Sequence, residues 1–195
     1  MASSVKIILG SQSPRRLEIL SHAGYEVEVV KPLVEEVFPD SMDIYQVPEF
    51  LSRLKMDDIA AMIANDNDFI VCADTVVIYN HQLVGKPESL QDAFRCLKML
   101  NGQQHDVVTG VCIRKNGKVI SFSEQAKVYF KPLPEEEIQH YVDTCQPLDK
   151  AGAYNIQEYA GVDKLEGEFF NVMGLPLQRV QEVIQQWDNL SPASF

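Results

Sequence analysis

The sequence predicts an α/β fold: one mixed, twisted β-sheet flanked by helices, arranged as two lobes around a central cleft. Three observations predict it. Ile70 to Ile78 is a mostly β-branched apolar run, too continuous for a half-exposed strand and so buried on both faces. Asn80-His81 and Asn116-Gly117 stand between apolar runs where tight hairpin turns are needed, which makes part of the sheet antiparallel. The length of 195 residues, with 46% hydrophobic and 23% charged residues, suffices for one substantial domain covering the whole chain.

Taken in order, Val5–Leu9 is a short buried strand that runs through Gly10-Ser11-Gln12 into a helix. Ser13 is placed as its N-cap, Pro14 in its first turn and Gly24 at its C-terminal end. A strand, a Gly/Ser loop and a helix N-terminus with Arg15 and Arg16 together make an anion cradle. The GxxxxGK[ST] phosphate loop is absent. Glu26–Val30 is a second strand, followed by an acidic loop, Glu35 to Asp40, which taken alone reads as solvated.

A helix over Pro48–Asn65 carries Leu51, Leu54, Ile59, Met62 and Ile63 as its apolar stripe. Lys55, four residues after Leu51 and four before Ile59, falls on or beside that stripe and either snorkels to solvent or points into a cleft. After the central strand come Gln82–Val84, a helix begun by Ser89 and Asp92, a hairpin over His105–Arg114 and Lys118–Phe130, and a helix opened by Pro134. The loop PLDKAGAYNIQ (147–157) precedes a strand-like YAGVDKLEG and a final amphipathic helix, Leu175–Trp187, with 189–195 a frayed tail.

Composition excludes several function classes. The net charge of −11 argues against a general nucleic-acid or anionic-membrane surface, and any anion site must be a local concentration of Lys and Arg. No apolar run approaches the ~20 residues that span a bilayer. The basic pair of the N-terminal segment follows its apolar run, the reverse of a secretory signal, so a cytoplasmic location is expected. The four cysteines are widely spaced, without a CxxC pair, and the four histidines lack HExxH spacing. Reduced core thiols are the expectation.

One charge interrupts the central strand. Asp74 is a carboxylate in a buried run, costly to ionise unless a cation or several donors meet it. Lys86, in Gly85-Lys86-Pro87, is one candidate cation. The strand alone does not decide between a functional carboxylate at the floor of a cleft and a satisfied structural one.

SxSPRR at 11–16, the helical Lys55, ADT at 73–75, GKP at 85–87, QHDVVTG at 104–110, DKAGAYNIQ at 149–157 and NVMGLP at 171–176 occur in one order. That ordered set resembles the Maf family of nucleoside triphosphate pyrophosphatases, from about Ile7 to Trp187. The resemblance implies a Maf/ITPase-like fold and hydrolysis of a nucleotide to its monophosphate and pyrophosphate with a divalent metal, Mg²⁺ or Mn²⁺. By position it makes Asp74 the proton acceptor and Glu36, with Asp74, a metal ligand. Ser11, Ser13, Arg16, Lys55 and Lys86 become phosphate-binding residues. Arg15, Thr75 and Gln157 match the branch acting on dTTP and UTP, and a Gln amide suits the O4/N3 edge of a pyrimidine. Asn155 and Glu158 depart from the glycines common at those positions. The resemblance also implies a homodimer and a small-molecule nucleotide as partner, with no nucleic acid and no membrane. The alternatives are the 7-methyl-GTP branch of the same family and a nucleotide-binding regulator of septum formation.

Overall fold

In the computed structural model, which describes residues 5–63 and 67–191, a seven-stranded mixed sheet is flanked by helices on both faces. Strand β1 (Lys6–Gly10) lies parallel to β2 (Glu26–Val29) on one side and to β3 (Phe69–Tyr79) on the other. The remaining strands are antiparallel: β4 (Gln82–Val84), β5 (Gln104–Lys115), β6 (Lys118–Phe130) and β7 (Val162–Glu166). Asn80 and His81 have φ of 49° and 58°, and Asn116 and Gly117 have 50° and 77°. Both central residues of each hairpin are thus left-handed, the twist that two-residue turns require.

The strand Ile70–Ile78 is buried on both faces because each face is covered by helix. Helix α2 (Val47–Met62) lies on one, burying Met56 and Ile59 against Ile8, Ile70, Cys72 and Cys112. On the other face α1 (Pro14–His22), α3 (Leu90–Leu100), α4 (Glu135–Cys145) and α6 (Leu177–Gln185) close a larger core that includes Leu20, Leu97, Ile138 and Val180. Each such fully buried aliphatic side chain contributes about 1.5–3 kcal/mol. Helix α2 can lie close to the sheet because Gly110 has no side chain: a Cβ there would stand 2.1 Å from the Glu49 amide nitrogen.

Several expectations are corrected. Helix α2 ends at Met62, because Ile63 is extended (φ −101°, ψ 120°); Asn65 lies outside the described residues. The face meeting the sheet is Val47, Leu51, Ser52, Lys55, Met56 and Ile59, whereas Met62 is exposed beyond the contact. Ser13 occupies the N-cap of α1, but its side chain makes no capping bond; its own N–H donates to Ser11 Oγ. The last helix is divided. Short α5 (Phe169–Met173) stops at Gly174, whose φ of 113° reverses the chain, and α6 starts only at Leu177. Trp187 belongs to a separate 3₁₀ turn, and Leu190 packs on the core, so the tail expected from 189 is not free there; Pro192–Phe195 lie outside the described residues. The four thiols are free, Cys72 and Cys112 buried and Cys96 and Cys145 half-buried. No helix among the described residues is long and apolar enough to cross a membrane.

Candidate active site

The sheet has a notch, and the cleft lies there. Strand β1 pairs with β3 only as far as Gly10 opposite Cys72, and β4 takes up pairing with β3 at Val77 opposite Val84. Between them, residues 73–76 of β3 have one edge that neither strand covers, at the carboxyl end of the parallel pair. Crevices at strand carboxyl ends are where open α/β sheets place ligands. The cavity measures about 320 Å³, enough for a small molecule.

Its lining gathers Ser11, Ser13, Arg15, Arg16, Glu36, Lys55, Asp74, Thr75 and Lys86, residues 75 positions apart in sequence. Five cations, Arg15, Arg16, Lys55, Lys86 and Lys150, face three carboxylates, Glu36, Asp74 and Asp149. The surplus of positive charge is local, within a chain of net charge −11. It suits a polyanion.

Asp74 and Thr75 are consecutive on a strand, so they address opposite faces of the sheet. Asp74, 8% exposed, turns toward α2, where Lys55 Nζ lies 2.6 Å from its Oδ1. The same ammonium is 2.8 Å from Glu36 Oε1. Lys55 is buried, not snorkelled, and it brings the acidic loop to the cleft; Asp58 on the same helix accepts from the Leu33 and Val34 amides and fixes the loop's approach. Burial works to raise the Glu36 pKa, but the hydrogen bond and charge of Lys55, then the charges of Lys86 and Arg16, outweigh it and hold Glu36 below its ordinary value. Asp74 Oδ2 has no hydrogen-bond partner among the described residues.

Thr75 faces the other way, into the network of Arg16. The buried guanidinium donates from Nε to Gly174 O (2.7 Å), from Nη1 to Ser11 Oγ (3.0 Å) and from Nη2 to Thr75 Oγ1 (3.1 Å). Burial lowers the Arg16 pKa and nearby Asp74 opposes that shift. Thr109 Oγ1 donates to Asn171 O, so in its 2.9 Å contact with Thr75 the proton comes from Thr75. The Thr75 oxygen is thereby left to accept from Arg16. Asn171 in turn donates to Val107 O. Thr109, Asn171 and Gly174 thus hold the Arg16 fork in one orientation, a function that their motifs did not reveal.

At the mouth, Arg15 Nη1 pairs with Asp149 Oδ2 at 3.1 Å, and Lys150 Nζ with Asp149 Oδ1 at 2.7 Å. Lys150 escaped the sequence reading because a Lys beside an Asp in a loop resembles any solvated pair. Beyond it Gly152 and Ala153, both left-handed (φ 73° and 61°), turn the chain over Val77. Tyr154, Asn155 and Ile156 therefore line the cleft, together with apolar Val77, Val107, Ala151, Val172 and Met173. Gln157 does not line it; that side chain is exposed, and its N–H donates to Asn155 Oδ1 at 3.1 Å. Neither Asn155 nor Glu158 has a positive φ, so the loop does not need glycine at either position.

A family model described as Maf-like protein matches residues 6–187. The chain belongs to the Maf family. Among its Maf relatives, the dTTP/UTP pyrophosphatase of Thermosipho africanus is 42% identical over 186 residues, covering 94% of this chain and 93% of the relative. That of Bdellovibrio bacteriovorus is 38% identical, covering 93% and 98%. A solved structure of the Staphylococcus aureus Ham1 protein superposes with a TM-score of 0.50 over 93% of this chain and 99% of its own, at 10% identity. That likeness is one of fold and agrees with the Maf/ITPase-like sheet expected from the sequence.

Proposed function

We propose that this protein hydrolyses dTTP and UTP to the nucleoside monophosphate and pyrophosphate. The observation that carries the reading is Lys55 bridging Asp74 and Glu36 at the floor of a cleft whose walls add Arg15, Arg16, Lys86 and Lys150. The name shared by relatives 38–42% identical over nearly the whole chain supports the same substrates.

Asp74 Oδ2 accepts the proton of a water molecule. As the water oxygen bonds to the α-phosphorus, the bond to the α–β bridging oxygen breaks, and its electron pair leaves on pyrophosphate. Lys55, Lys86, Arg16 and Arg15 meet the triphosphate charge and the charge that grows on the leaving group, with the Ser11–Ser13 loop beneath. The nucleoside extends along Val77, Tyr154, Ile156 and Met173; of the positions carried over for pyrimidine preference, Arg15 and Thr75 line the cleft and Gln157 does not.

The donor set fits a divalent ion. Glu36 and Asp74 already converge on one cation, the Lys55 ammonium, and Mg²⁺ characteristically takes one or two carboxylates plus substrate phosphates. Glu36 and Asp74 would hold Mg²⁺ or Mn²⁺, which when bound supplies charge neutralisation at the phosphate oxygens. The assembly we propose is a homodimer.

A panel of nucleoside triphosphates, with Mg²⁺ or Mn²⁺ and pyrophosphate as the measured product, tests the reading. Turnover of dTTP and UTP is expected. Preference for 7-methyl-GTP would overturn the substrate assignment, and release of single phosphates would overturn the reaction.

A further inference from the structure

The loop 149–157 presents to the cleft a side chain that the family resemblance does not supply. Asn155 lines the cavity beside Tyr154 and Ile156, whereas Gln157 is exposed and outside the lining. The orientation of the Asn155 amide is fixed by chemistry: the Gln157 N–H, 3.1 Å away, needs an acceptor, so the atom facing it is Oδ1. The other end is then Nδ2, a pure donor, with no hydrogen-bond partner among the described residues. The backbone beneath it is held firmly. Asn155 N donates to Tyr141 Oη at 2.9 Å, and Asn155 O accepts from the Glu158 and Tyr159 amides at 3.1 and 2.9 Å. A free donor on a braced loop, beside Tyr154 and Ile156 in the lining of a nucleotide-sized cleft, is suited to meet the polar edge of a base.

We propose that Asn155 is a base-selecting residue in this chain, its Nδ2 donating to the carbonyl at position 4 of a pyrimidine. This rests on the nucleotide reading above. It deepens that reading by assigning selection of a keto over an amino pyrimidine to Asn155. A carbonyl at position 4, as in UTP and dTTP, accepts from Nδ2. The amino group there in CTP is itself a donor, and two donors facing each other lose a hydrogen bond and leave buried groups unpaired.

Asn155→Asp isolates the effect. The carboxylate still accepts from the Gln157 N–H, so the turn is kept, but a donor toward the base becomes an acceptor. Repulsion between the added charge and the triphosphate is the same for UTP and CTP and cancels in their ratio, as does any loss of folded protein. We expect the ratio of kcat/KM for UTP over CTP to fall by about tenfold or more in Asn155→Asp, mainly through KM, because the contact exists before and during the reaction. An unchanged ratio in a protein that still hydrolyses UTP would overturn the role of Asn155. So would a ratio that collapses in Gln157→Ala but not in Asn155→Asp. Absence of UTP turnover in the parent protein would instead overturn the underlying nucleotide reading.

Discussion

Lys55 Nζ stands 2.6 Å from Asp74 Oδ1, both side chains about a tenth exposed, and the same nitrogen reaches Glu36. Moving two charges out of water costs several kcal/mol per ion, which only close pairing offsets. Replacing Lys55 by Met therefore leaves a carboxylate without its cation. Lys55→Met should lose roughly 3 kcal/mol of stability, read from urea unfolding, together with its pyrophosphatase activity. Full stability in that variant would show that the pair is not the organising contact of the cleft.

Arg16 makes three hydrogen bonds in three directions, to Gly174, Ser11 and Thr75. A lysine keeps the charge but not the planar fork. Arg16→Lys should cost about 2 kcal/mol or more, through acceptors left unpaired, and should raise KM for the nucleotide as the cradle loosens. Thermal unfolding and steady-state kinetics on one preparation check both.

Gly110 stands opposite Asp74 in the sheet and beneath the first turn of α2. A Cβ there would meet backbone, 2.1 Å from Glu49 N and 2.2 Å from the Pro48 carbonyl carbon, and backbone cannot swing aside as a side-chain tip can. Gly110→Ala should lift α2, carrying Lys55 away from Asp74. The expected destabilisation is about 3 kcal/mol or more, seen as a lowered Tm.

His105 is 3% exposed, with Nε2 2.7 Å from the Tyr154 hydroxyl and Nδ1 without a partner among the described residues. Burial lowers its pKa from 6.5 to about 4, against a smaller opposing effect of Asp106. The unfolded chain then binds a proton that the native protein does not. Stability is complete above pH 6.5 and declines as pH falls from 6.5 toward 4, by at most about 1.4 kcal/mol per pH unit. Urea midpoints between pH 5 and 6.5, above the carboxylate range, should show this slope in the parent and a flatter one in His105→Phe.

Local signals carried most of the fold into the sequence. Both hairpin turns, the Ser89 cap of α3 and the two-sided burial of the Asp74 strand depend on neighbours in the chain, and they are found where expected. The failures arise where a group answers to a partner outside its own element. Ser13 sits at its N-cap, yet Ser11 supplies the hydroxyl, because Arg16 also needs it. The division between α5 and α6 follows from Gly174, whose carbonyl accepts from Arg16. The cleft residues were legible as charges out of place in a strand, a helix face and a loop. That Lys55 bridges two of them was not, since only the packing of α2 over Gly110 brings the three together.

Whether Asp74 takes the proton of the attacking water is decided by comparing Asp74→Asn with the parent protein on dTTP and UTP, following pyrophosphate release at saturating divalent metal. An amide cannot take the proton of the attacking water, while size and backbone are unchanged. In Asp74→Asn kcat should fall by about 10²- to 10⁴-fold with the fold intact by circular dichroism. An Asp74→Asn protein that releases pyrophosphate at the parent's rate would show that Asp74 is not the proton acceptor.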